Sequence, residues 1–362
     1  MTDKRDLSFV RSLYGGYWNY DLKDFCYMIN SYFPPQEMLG KIAARLSVLS
    51  KNYPSTNKYI SLLLSNYLSL DVDNLVVANG ASELVNAIGR LFIKNLAVAI
   101  PTFEEYINRL RIQGKEVSLY RMEEEERFTI DMDSYIRFAE ESNSNAVLFI
   151  RPNNPTGNLI PKTSMNYALQ KLVNFDLVLV DESFIEFNAG ERDASILELT
   201  RTYENLVIIK SLSKVYGIPG LRIGCAICGN INRIDMLRKE LSIWNINSFA
   251  QCFIELLGDY RKEFEEACTK VVRATRELHT ELSKLKCLYP YPTEANFVFC
   301  KLANNKSSTE LATFLFENYG FLIYDCSNKT GLNSQFVRIA SRTYEENGEL
   351  LAAIRAWEEW RG

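Results

Sequence analysis

Short apolar runs alternate along this chain with segments whose apolar residues recur at the helical period. The runs at 73–78, 97–100, 116–121, 146–150, 177–180, 206–209 and 225–228 are rich in Val, Leu and Ile and are bounded by Gly, Pro, Asn or Asp, which predicts strands. Most lack a polar alternation, as strands covered on both faces do. Between them, Leu84, Val85, Ile88, Leu91 and Phe92 trace one face of a helix. Strands separated by helices predict an α/β architecture around a mostly parallel sheet. Helices are also expected over 36–50 and 58–68, and a long helical region over 231–285. The rest reads as strands at 296–302, 321–324 and 335–340 with helices at 308–319 and 345–360, a smaller α+β unit. The first forty residues are irregular and aromatic and predict an arm lying over another surface. The division is therefore an arm at 1–40, a large α/β domain at 41–235, interdomain helices at 236–285 and a small α+β domain at 286–362, sizes that suit a chain of 362 residues.

Charge and composition narrow the function. A net charge of −4 argues against nucleic acid or an anionic membrane as partner. Nowhere is an apolar run long enough to span a bilayer, and the charged opening at 1–6 leads into no apolar signal segment. Eight cysteines at irregular spacing predict reduced thiols and a cytoplasmic protein. Cys225 and Cys228 match a zinc-ligand spacing, but they lie in a strand-like run without a second pair, so no metal site is expected. His279 is the only histidine and reads as a surface residue of a charged helix; Ser-His-Asp hydrolysis and His-rich metal sites are excluded with it.

The candidate chemistry lies after the run at 206–209, in Ser211-Leu212-Ser213-Lys214-Val215-Tyr216-Gly217-Ile218-Pro219-Gly220-Leu221-Arg222-Ile223-Gly224. A lysine directly after a buried strand is costly unless it is paired or neutral. Here serines and an arginine bracket it, which suits an imine-forming amine beside a phosphate. Asn154, in Pro152-Asn153-Asn154-Pro155-Thr156-Gly157, and Asp181, in Val180-Asp181-Glu182, follow other predicted strands. In parallel sheets ligands sit outside such carboxyl ends. Gly80-Ala81-Ser82 opens a helix, a ready phosphate site.

S-L-S-K-x-x-G-x-x-G-x-R-x-G, N-N-P-T-G and V-D-E together resemble the class I/II aminotransferases, enzymes of the aspartate-aminotransferase fold (fold type I) that use pyridoxal 5′-phosphate. The resemblance covers nearly the whole chain. It implies that Lys214 carries the cofactor as a Schiff base, that Asp181 pairs with the pyridine nitrogen, that Asn154 donates to the ring hydroxyl oxygen and that Phe103 stacks on the ring. Ser211, Ser213, Arg222, Gly80 and the N–H groups of Ala81 and Ser82 would hold the phosphate. Tyr53 matches a tyrosine that reaches the phosphate from a neighbouring subunit, which implies a homodimer with shared sites. Arg338, in Phe336-Val337-Arg338-Ile339-Ala340, matches the arginine that grips the substrate carboxylate.

Within that family the chain resembles both histidinol-phosphate aminotransferases and threonine-phosphate decarboxylases. Gly15-Gly16, the segment Asp24-Phe25 to Ile29-Asn30 and the second arginine, Arg342, resemble the decarboxylases, although Tyr14 stands where their histidine would. Phe184 replaces a tyrosine of the aminotransferases. The expected reaction is decarboxylation of phosphoserine or phosphothreonine to an amine phosphate, with transfer of an amino group from glutamate to a phosphorylated compound as the alternative. Arg342 and Arg151 are candidate anchors for a substrate phosphate, with Asn30, Tyr27 and Tyr32 lining the mouth. Both arginines have an alternative role, pairing with protein carboxylates such as Glu182 or Glu186.

Overall fold

The computed structural model describes residues 6–188 and 194–360. After a short strand β1 (Lys23–Phe25), seven strands build one sheet: β2 (Leu75–Asn79), β3 (Asn95–Ile100), β4 (Glu116–Arg121), β5 (Ala146–Ile150), β6 (Leu177–Asp181), β7 (Leu206–Ser211) and β8 (Ile223–Cys228). Their spatial order is β2-β8-β7-β6-β5-β3-β4, with β8 antiparallel to both neighbours and the other pairings parallel. The period of two explains why the strands read as continuous apolar runs. Ala146, Leu148, Leu177 and Leu179 enter the core on one face, and Val147, Phe149, Val178 and Val180 the core on the other. Helix Ala81–Phe92 buries Leu84, Val85 and Ile88 in the first of these cores.

The register sets the site. Ile150 pairs with Asp181, and Asp181 with Ile209, so the carboxyl ends of β5, β6 and β7 come out together. Because β8 runs back between β7 and β2, Gly224 pairs with Ser211 while Ile223 pairs with Asn79. The helix start at Gly80 therefore lies beside the lysine loop.

A second sheet contains β9 (Leu288–Pro290), β10 (Phe297–Leu302), β11 (Phe321–Asp325) and β12 (Phe336–Ala340), in the order β1-β11-β12-β10-β9. The N-terminal arm is thus part of this sheet, with β1 parallel to β11. Leu7–Ser12, capped by Asp6, adds a helix where the sequence predicted only irregular chain, and its Leu7 and Val10 join the small-sheet core.

Two expected helices are broken. The segment at 36–50 divides at Arg45 into Gln36–Ala44 and Leu46–Lys51, both packed on Ser248–Leu256, with Arg45 donating to Glu255. The region at 231–285 divides into Ile231–Glu240, Ser248–Leu256 and Arg261–Leu282, the second capped by Asn247. No helix among the described residues is long and apolar enough to cross a membrane. All eight cysteines are free and buried, Cys225 and Cys228 inside β8. His279 is half-buried on Arg261–Leu282 rather than at the surface, because that helix lies against β9 and β10.

Candidate active site

Lys214 lies in a one-turn helix, Leu212–Val215, that follows β7 directly. Two arm contacts hold this turn: Asn30 N donates to Lys214 O and Asn30 Nδ2 to Val215 O, each at 2.9 Å. Gly217, at φ +63°, lets the arm approach, since a Cβ there would lie 2.0 Å from Phe33 O. Burial lowers the Lys214 pKa to about 8, helped by Arg222 and Arg338 and opposed by Asp181. An amine so placed is partly neutral near neutral pH and able to attack a carbonyl.

Asp181 terminates β6. Its Oδ2 accepts from the Tyr106 hydroxyl at 2.7 Å and its Oδ1 from Ser183 N at 2.9 Å. Burial and the Asp181 charge push the Tyr106 phenol well above its ordinary pKa, so it stays a donor. Ser183 Oγ in turn accepts from Ser211 N at 2.9 Å, tying the Asp181 loop to the lysine loop.

On the other side of Lys214, Arg222 Nη2 donates to Ser82 Oγ at 3.2 Å. A Cβ on Gly80 would sit 2.3 Å from that Nη2, so the guanidinium lies flat against the start of helix Ala81–Phe92, which no side chain caps. Ser213 Oγ is buried without a hydrogen-bond partner. An uncapped helix start, an arginine and an orphaned hydroxyl around one lysine fit a phosphate-bearing aldehyde.

Arg338, on β12, is buried. Nη1 donates to Asn154 Oδ1 at 2.6 Å and Nη2 to Cys26 O at 2.8 Å, while its guanidinium lies over the rings of Tyr324 (4.5 Å) and Phe297 (5.6 Å). Among the described residues no carboxylate lies within ion-pair distance, and Nε has no partner. Phe184 packs edge-on against Phe297 at 5.6 Å. Phe103, after β3, is part-exposed and meets Tyr106 edge-on at 6.2 Å.

The remaining expected site residues make contacts within the protein. Arg151 is fully buried and forms an internal ion pair with Glu182 at 2.7 Å, donating also to Ile160 O and Ala194 O, so it is no substrate anchor. Its charge is met inside the protein, as the pairing alternative expected. Arg342 donates from one terminal nitrogen to Asp24 O and from the other to Glu346, each at 2.9 Å, while its Nε has no partner among the described residues. Asn30 is turned to the lysine turn and to Tyr32 N rather than to a mouth. Tyr27 stacks on Tyr17 at 5.5 Å, and Tyr32 leans on Tyr344 at 6.5 Å. Tyr53 is 77% exposed and stacks on Trp244 at 4.3 Å. Tyr106 was missed by sequence reasoning, although it stands only three residues past Phe103; Tyr324 and Lys329 carried no signal.

Residues 49–354 match the family described as aminotransferase class I and II. A CMP-5′-(3-aminopropyl)phosphonate synthase of Streptomyces rubellomurinus is 33% identical over 95% of this chain, which spans 54% of that relative's length. An L-serine phosphate decarboxylase of Campylobacter jejuni is 30% identical, over 91% of this chain and 87% of its own. The crystal structure of the histidinol-phosphate aminotransferase of Clostridium acetobutylicum superposes with a TM-score of 0.85 at 28% identity, covering 93% of this chain and 99% of that one. The chain belongs to the class I and II aminotransferases, a family of enzymes that depend on pyridoxal phosphate.

Proposed function

We propose that this enzyme decarboxylates a small O-phosphorylated amino acid, phosphoserine or phosphothreonine, to an amine phosphate and carbon dioxide. The observation that carries the reading is Arg338: a buried guanidinium without a carboxylate partner among the described residues, close enough to Lys214 to depress its pKa. A buried cation of this kind calls for an anionic ligand. The extent of the likeness to the Campylobacter L-serine phosphate decarboxylase supports decarboxylation. So does Phe184, whose ring brings no hydroxyl to the site.

Pyridoxal phosphate, when bound, supplies an aldehyde for the substrate amine and a conjugated ring that accepts the electron pair of the breaking bond. Ser211, Ser213, Arg222 and the first N–H groups of helix Ala81–Phe92 would hold its phosphate. Asp181, kept in place by Tyr106 and Ser183, would face its ring nitrogen, Asn154 its hydroxyl oxygen and Phe103 its face. Arg338 would hold the substrate carboxylate and so decide which bond at the α carbon stands across the ring. Lys214 Nζ would return a proton to the α carbon after carbon dioxide leaves.

Exposed Tyr53, with Leu46, Val48, Ile243 and Trp244 also exposed, supports a homodimer in which Tyr53 completes the partner's phosphate site. Free buried cysteines are in keeping with a cytoplasmic enzyme. The test is to supply phosphoserine and phosphothreonine without any keto acid. Carbon dioxide released over many turnovers is expected; transfer that needs a keto acid and releases none would make the reaction amino-group transfer instead.

A further inference from the structure

Four Lys or Arg residues are buried among the described residues: Arg151, Lys210, Lys329 and Arg338. Two are neutralised within the protein, Arg151 by Glu182 and Lys210 by Glu186, each at 2.7 Å. The other two have no carboxylate within 4.0 Å among the described residues, and they share a ring: Lys329 Nζ lies 5.4 Å and the Arg338 guanidinium 4.5 Å from the centre of Tyr324. Two cations beside one ring thus lack a counter-ion among the described residues.

Lys329 is 5% exposed and sits in the loop between β11 and β12. Its Nζ donates to Thr102 O at 3.1 Å, next to Phe103. Glu104 favours the ammonium from a distance, but its Oε1 is taken by Thr330 N and Oγ1. Burial and Arg338 together push the Lys329 pKa down. The loop is anchored, with Lys329 N donating to Cys326 O, Leu332 N to Lys329 O, and Gly331 packed on Ile100 and Pro101. A held ammonium with donors to spare and no counter-ion is a charge awaiting a ligand.

We propose that Lys329 is the second anion anchor of the substrate site, gripping the phosphate of a molecule whose carboxylate lies on Arg338. This rests on the reading of Arg338 given above. It makes Lys329 the residue that distinguishes a phosphorylated amino acid from its plain counterpart, independently of which bond later breaks.

The test measures binding to the holoenzyme, by the change in cofactor absorbance, for O-phosphoserine, serine and aspartate. Wild type is expected to prefer O-phosphoserine to both, and Lys329→Met to lose at least tenfold of its preference over serine, equal to about 1.4 kcal/mol. Lys329→Arg should regain part of it. Where the methionine variant does not hold cofactor, Lys329→Gln, which keeps a donor for Thr102 O, should show the same loss. An unchanged preference in the neutral variants overturns the proposal, as does a wild type that binds serine or aspartate as tightly as O-phosphoserine. Carbon dioxide release is scored separately. A lost preference without carbon dioxide leaves Lys329 assigned and removes decarboxylation; carbon dioxide with unchanged preference does the reverse.

Discussion

Arg338 Nη1 donates to Asn154 Oδ1 at 2.6 Å, a single hydrogen bond that joins the small sheet to the loop after β5. Asn154→Asp would give Arg338 the carboxylate it lacks and set the protein against the substrate for the same guanidinium. Substrate affinity should fall by roughly tenfold or more, beyond the loss in Asn154→Ala, because a charged pair is the stronger bond. Titration of both variants with O-phosphoserine checks this, and an aspartate variant that binds as well as the alanine variant contradicts it. Arg338→Lys should not rescue binding, since one ammonium cannot reproduce the planar fork.

Lys214 should set the pH dependence of cofactor capture. Its charged form is disfavoured by burial, Arg222 and Arg338, so its amine deprotonates near pH 8 rather than at the ordinary 10.5. In cofactor-free protein the rate of capture should rise about tenfold per pH unit below 8 and flatten above it. Arg222→Gln should move the inflection upward by removing a positive neighbour. Rapid-mixing absorbance measures the curve; an inflection near 10.5 would show that the amine is not in this environment. Borohydride treatment of the loaded enzyme should attach the cofactor to Lys214, and Lys214→Ala should abolish that attachment.

Arg151→Met should cost stability and leave specificity alone. It leaves Glu182 in the interior with Lys210 3.9 Å away as its remaining cation and Ser195 and Ile196 N as donors, so the loss should fall at the low end, about 3 kcal/mol, for a broken buried pair. Denaturation of the cofactor-free protein reads the loss. A change in preference between O-phosphoserine and serine, at unchanged stability, would return Arg151 to the substrate site.

These residues also show what local sequence carries. The lysine loop was legible because its chemistry is contiguous: directly after the strand, serines, lysine, glycines and arginine fall within fourteen successive positions. The parallel sheet was legible because apolar residues on both faces leave an unbroken run. For Arg151 and Arg342 the sequence left anchoring and pairing both open, because a charge shows in sequence while its partner does not, and Glu182 and Glu346 meet them only through tertiary geometry. Lys329 was invisible for the opposite reason: a lysine in a polar loop reads as solvated, and its burial depends on Thr102, just past β3, and on Tyr324 of β11. Strand β1 was missed because three residues show no period.

Tyr53 supplies a test of assembly. If it completes the partner's site, Lys214→Ala mixed with a Tyr53→Phe chain should form hybrid dimers in which both lesions fall on one site and the other site is intact. Activity should exceed the sum of the separate variants and grow with subunit exchange. A stable, fully active monomer in sedimentation would remove the shared site.

The pairing of β1 with β11 bears on how the enzyme is made. Lys23 pairs with Phe321 and Phe25 with Ile323, so one edge of the small sheet is built from opposite ends of the chain. During synthesis the arm must wait, unpaired, until Phe321–Asp325 has left the ribosome. Such distant pairing is slow to form and exposes an apolar segment meanwhile. Since the same arm then holds the Lys214 turn through Asn30, a nascent chain would acquire its reactive lysine geometry only when the last strands arrive.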